Sequence, residues 1–175
     1  MRAVLPILVL LLICFSASAQ PTVGETAPPP ANSLAEVRNM QYALLVVFKS
    51  RVLDLTDREG AIIQDVLKAD PKPTGRYRWV YGLIARKLNK YMRKHKSLSP
   101  AFELAQADYV IYFNVVEFRR ILYTYYPYGE LFVIIKGSPE KLQPPRVVWR
   151  TKKMLFAEDA IGDLIKDLKI LRGES

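Results

Sequence analysis

Residues 109–118 read YVIYFNVVEF, and residues 130–136 read ELFVIIK. In both stretches apolar side chains occupy successive positions, so both alternating faces of an extended chain are hydrophobic. A strand of that kind lies inside a sheet covered on both sides, by helices on one and another layer on the other. Residues 146–151, RVVWRT, form a third such strand, with Pro144-Pro145 setting its approach. The links between the three are short enough for an antiparallel meander. Residues 42–48, YALLVVF, predict a fourth strand. Val37, Gln41, Leu44, Leu45 and Phe48 also fit a helical stripe, so a helix over residues 37–48 is the alternative reading.

The segments around these strands carry helical periodicity. Thr56-Asp57-Arg58-Glu59 is a capping box, followed by Ile62, Ile63, Val66 and Leu67 on one face of a short helix. Asp70-Pro71-Lys72-Pro73-Thr74-Gly75 ends it. Residues 76–96 form the clearest long helix, with Val80, Ile84, Leu88, Tyr91 and Met92 as its buried stripe. Cations crowd its C-terminal end, where they suit the macrodipole. Ser97-Leu98-Ser99-Pro100 breaks it, and a turn through Phe102 and Leu104 leads to the sheet. Residues 157–171 form the closing helix, with Ala157, Ala160, Ile161, Leu164, Ile165, Leu168 and Leu171 on one face and Gly173 as C-cap. The expected architecture is α+β: a mainly antiparallel sheet of about four strands, its two longer helices packed on one face.

The N-terminus sets the compartment. Met1-Arg2 is a basic start, residues 4–15 are apolar, and Ala17-Ser18-Ala19 has the spacing of a cleavage site. This is the pattern of a secretory signal peptide over residues 1–19, which places the working protein in the periplasm or extracellular medium. The apolar run is shorter than the roughly 20 residues a membrane span takes. Ile13 is not the small residue that a lipid-attachment signal wants before Cys14. Residues 20–32, with Pro21 and Pro28-Pro29-Pro30, read as an extended disordered tether, and residues 33–173 as one folded domain.

The leader also removes chemistry. Cys14 is the only cysteine in the chain. Once cleaved, the chain therefore has no disulfide and no thiol nucleophile, and burial of a 50% hydrophobic chain must hold it together. His95 is the only histidine and sits in Arg93-Lys94-His95-Lys96. It is expected as a surface residue at a basic helix end, with no nucleophile nearby. Usual His-rich or Cys-rich zinc sites are excluded by count. Ser138-Pro139-Glu140-Lys141 matches the Ser-x-x-Lys of penicillin-interacting enzymes, but its companion motifs are absent and it reads as a turn. Asp159, Asp163 and Asp167 share one side of the last helix and read as a solvated face. No phosphate-cradling glycine loop occurs, and no cofactor or metal is expected.

Two features point to binding. Tyr123-Thr124-Tyr125-Tyr126-Pro127-Tyr128-Gly129, preceded by Arg119-Arg120, is expected to form a hairpin end between strong strands. Tyrosines give large contact area at small entropy cost, so Arg119, Arg120, Tyr123, Tyr125, Tyr126 and Tyr128 are the candidate contact residues. The alternative is that the rings pack on the sheet edge. The second feature is a basic helix face of Arg86, Lys90, Arg93 and Lys94. The formal charge of +9, lowered by one when Arg2 leaves, favours anionic lipid or polysaccharide as partners. Nucleic acid is not expected outside the cytoplasm.

Ala107-Asp108-Tyr109-Val110 opens one strand, Gly129-Glu130-Leu131 another, and Val148-Trp149-Arg150 a third, before an amphipathic helix. Over residues 107–171 this layout resembles small bacterial cell-envelope proteins of unknown function, many of them lipoproteins. The resemblance implies an envelope α+β domain and transfers no catalytic residue. The reading is a non-enzymatic exported domain that binds a protein or envelope component. The competing readings are a hydrolase acting on an envelope polymer through carboxylates, and an electrostatic binder.

Overall fold

The computed structural model describes residues 33–50, 58–138, 142–151 and 155–175. The leader, the tether, Thr56 of the capping box and Pro139-Glu140-Lys141 of the Ser-x-x-Lys match lie outside them. A 3₁₀ turn (Ser33–Val37) precedes β1 (Tyr42–Phe48), α1 (Arg58–Lys68), α2 (Tyr77–Lys94), β2 (Ser99–Ala101), β3 (Tyr109–Ile121), β4 (Thr124–Ile135), β5 (Arg146–Arg150), β6 (Leu155–Phe156) and α3 (Ala157–Arg172). The fold is α+β.

The sheet is larger than the four expected strands: its six strands run β2-β1-β3-β4-β5, with β6 added to β4. β3, β4 and β5 form the antiparallel meander. β1 lies parallel to both β2 and β3. Ser99–Ala101 is thus a strand, although the sequence reads there as a helix-breaking turn. Three residues containing Pro100 carry no strand signal, and the pairing depends on β1 lying alongside.

Both faces of the sheet are buried. On one, Leu45, Val47, Ile111, Phe113, Leu131 and Val133 meet Val80, Ile84 and Leu88 of α2 and Ala160, Ile161 and Leu164 of α3. On the other, Leu44, Val46, Val110, Tyr112, Phe132 and Ile134 meet Ile62, Ile63 and Val66 of α1. The two longer helices share a face, and the short helix is the second layer. This explains why β3 and β4 are apolar at successive positions: alternate side chains enter different cores. It also settles residues 42–48 as a strand.

Polar groups tie the layers. The Asp108 carboxylate accepts the backbone N–H groups of Gln41 (2.9 Å) and Tyr42 (2.8 Å), fixing the start of β1. Buried Asn114 accepts the Ser50 N–H (3.1 Å) through Oδ1, and the Ser50 hydroxyl donates to Asp65 of α1 (2.7 Å). Trp149 Nε1 donates to Asp167 of α3 (2.9 Å), and Arg150 donates to Glu59 of α1 (3.3 Å). Gly173, with φ +67°, ends α3 as expected, its N–H bonding to the Ile170 carbonyl.

Candidate functional site

The candidate site is built on a bulge. β3 and β4 pair in regular register from Tyr109↔Ile135 to Val115↔Gly129, and then the partner of Tyr128 is Glu117. Val116 is the extra residue. A bulge increases local twist and re-aims the chain beyond it. Gly129 is required opposite it, because a Cβ there would lie 2.0 Å from the Asn114 carbonyl oxygen. Past the bulge, β3 and β4 continue to Ile121↔Thr124 and turn through Leu122 and Tyr123.

The segment expected as a hairpin end is therefore mostly strand. Thr124–Tyr128 pairs residue for residue with Glu117–Ile121, and β4 starts six residues earlier than its apolar core suggests. Proline and glycine read as loop signals, but the Pro127 ring is buried and Gly129 serves the bulge. The pairing of β1 ends at Asn114, β5 reaches Phe132 and β6 reaches Tyr128. Beyond these limits no other strand among the described residues flanks the hairpin, and it continues as a two-stranded arm.

The arm separates the candidate residues onto two faces and a tip. Tyr126 and Tyr128 meet the Phe156 ring edge-on, at 5.7 and 6.3 Å between centroids. The Arg119 guanidinium lies 3.4 Å from the Tyr128 ring centre and is ion-paired with Glu117. The Glu117 hydrogen bond holds the Arg119 pKa above its ordinary value. Tyr123 at the tip is 91% exposed, beside Leu122 with φ +55°. Tyr125, 56% exposed, faces the opposite way and lines a groove. Arg120 turns back to donate to the Leu122 carbonyl (3.2 Å).

The groove, of about 700 Å³, runs between the arm and the N-terminus of α2. Tyr125, Phe118, Tyr77 and Trp79 supply its rings, and Lys49, Arg76 and Glu117 its charges. Arg76 lies 4.7 Å from the Phe118 ring centre, a cation–π contact that ties α2 to the arm. Sequence reasoning missed this wall. One signal was present: Trp79 does not belong to the Val80-Ile84-Leu88 stripe, and a tryptophan at a helix start off the buried face has another surface to serve. It is 45% exposed.

The basic helix face is partly spent on structure. Arg86 is 3.7 Å from Glu158, and Lys94 donates to the Ser175 carbonyl (2.8 Å). Lys90 and Arg93 have no ion pair among the described residues and line shallow depressions on α2. His95 is a correction: its side chain is 11% exposed, set against Tyr91 with Nδ1 3.6 Å from Glu174 Oε2. The chain after α3 folds back over the end of α2 and covers it. Ser97 and Tyr91 (2.5 Å) donate to the Glu174 carboxylate, while Arg172 donates to the carbonyls of Ser97, Val37 and Met40. Burial opposes the Glu174 charge, but those hydrogen bonds and the Arg172 charge prevail and hold its carboxyl below the usual range.

Asp167 of the acidic row is held by Trp149, and among the described residues no group of three or more potential ligands is placed to hold a metal ion. Among those residues no helix is long and apolar enough to cross a membrane. The chain matches no protein-family model, no curated protein and no solved structure at a significant level.

Proposed function

We propose that this chain is an exported, non-enzymatic binding module of the cell envelope, with the β3–β4 arm as its contact surface. One observation carries the reading: the arm outruns every neighbouring strand among the described residues and presents Tyr123, Tyr125 and Tyr126 to solvent. Exposed aromatic rings on a paired, pre-ordered element lose little entropy on contact, which suits recognition. The leader pattern of residues 1–19 supports export. The groove beside the arm has one carboxylate among its described lining residues, Glu117, already paired with Arg119. Two-carboxylate hydrolysis needs a second acid across a cleft, so this geometry favours binding.

The test is a crosslinking capture of neighbours from fractionated native host. The Tyr125→Ala, Tyr126→Ala double variant keeps the far-UV spectrum and melting profile while losing its captured neighbour. A Lys90→Ala, Arg93→Ala variant retains it. Unfolding of the tyrosine variant shows that the rings are structural and defeats the proposal. Loss of capture in the lysine-arginine variant alone transfers the contact to the basic face of α2.

A further inference from the structure

The groove lies beside a stretch of β3 that no strand among the described residues flanks on this side. β1 runs beside β3 only as far as Phe48↔Asn114. The chain then leaves the sheet: Ser50 is held by Asn114 and by Asp65 of α1. From Val116 to Ile121 the edge of β3 away from β4 has no strand beside it among the described residues. Alternate backbone N–H and C=O groups on that edge point outward, which makes it a template for another extended chain. Val115, Val116, Glu117 and Phe118 of this edge line the groove.

The surroundings select the guest. Tyr77, Trp79, Phe118 and Tyr125 offer rings to apolar side chains, and Lys49 and Arg76 offer positive charge. Among the described lining residues the one acid is Glu117, which is ion-paired with Arg119. The first turn of α2 holds no acidic residue and its N-cap Arg76 makes no side-chain cap, so the positive end of the helix adds to the field. We infer that the groove takes an extended acidic peptide segment of a partner protein, added as a strand to β3 at Val116–Ile121. Its backbone pairs with the β3 edge, its apolar side chains meet the ring wall, and its carboxylates face Lys49 and Arg76. This rests on the arm being the contact surface and gives that contact its chemistry: main-chain pairing supplies affinity, and alternate side chains supply specificity. A glycan would use the rings but leave the β3 backbone groups unpaired.

The probe is an acetylated octapeptide alternating glutamate with leucine and valine, titrated into the purified protein by calorimetry and amide hydrogen exchange. Binding slows exchange at Val116–Ile121 at least about tenfold, and N-methylation of alternate peptide nitrogens weakens binding by at least about tenfold. A lysine-for-glutamate peptide binds more weakly to the native protein. Lys49→Glu, at an exposed side chain, and Arg76→Glu each shift the preference toward that lysine peptide. Equal binding of the N-methylated peptide, equal binding of the lysine peptide, or no peptide binding at millimolar concentration overturns the inference. If the Tyr125→Ala, Tyr126→Ala variant still loses its captured neighbour in that event, the arm remains the contact surface and only its mode is wrong. Binding of oligogalacturonate in place of any peptide likewise overturns strand addition.

Discussion

At the scale of single residues, polar groups at chain ends and strand starts do much of the positioning. Glu174 joins the segment after α3 to Tyr91, Ser97 and His95. Its folded pKa is below the ordinary value of 4.5, so the unfolded chain takes up the proton first as pH falls. The stability it contributes is complete above that value and is lost as pH drops through the lower folded pKa. Glu174→Gln should therefore flatten the acid limb of a urea-denaturation profile between pH 6 and pH 3, and cost about 1–2 kcal/mol near neutrality. Asp108 acts where β1 begins, on the amides of Gln41 and Tyr42. Asp108→Ala should speed hydrogen exchange at Gln41 and Tyr42 and lower stability by about 1–2 kcal/mol. Gly129→Ala forces a Cβ onto the Asn114 carbonyl oxygen. Melting curves should show a loss of about 2–3 kcal/mol, and the disturbance should be centred on the bulge that aims the arm.

At the scale of elements, the short motifs of residues 107–150 have local mechanical reasons. The aspartate of Ala107-Asp108 ties β3 to β1. In Val148-Trp149-Arg150, Val148 enters the core, Trp149 bonds α3 and Arg150 bonds α1, so β5 fastens a helix to each face. Trp149→Phe keeps the ring and removes the donor, leaving Asp167 without it. The expected cost is about 1 kcal/mol by chemical denaturation, with faster exchange in the middle of α3. α2, α3 and the apolar parts of β3 and β4 were legible because their periodicity repeats over many residues. β2 was not, because three residues such as Ser99-Pro100-Ala101 become a strand only when β1 is beside them. The arm was half legible. Its tyrosines were visible as contact residues, but Pro127 and Gly129 masked the strand they belong to. His95 was misplaced for a related reason: its neighbours in sequence are cations, while its neighbours in space are Tyr91 and Glu174.

At the scale of the whole molecule, a sheet covered on both faces supplies the two buried cores that hold the described residues together. The only cysteine is Cys14, in the leader pattern. Heat denaturation of the protein as purified from its native host should give the same midpoint with and without dithiothreitol, because removal of residues 1–19 leaves no cysteine. A shift on reduction would mean that Cys14 persists and pairs with another molecule. By itself the sequence determined the fold class, the strands that are apolar on two faces, the two long helices and the presence of a single cysteine and a single histidine, because each is written in local periodicity or in counts. Only the tertiary structure decided that β1 stops at Phe48, opposite Asn114, while β3 runs on, that a bulge divides the tyrosines between two faces, and that Trp79 and Arg76 stand across from Tyr125. Those facts depend on where one strand ends relative to another. Non-local pairing sets that alignment, and neither strand's own residues encode it.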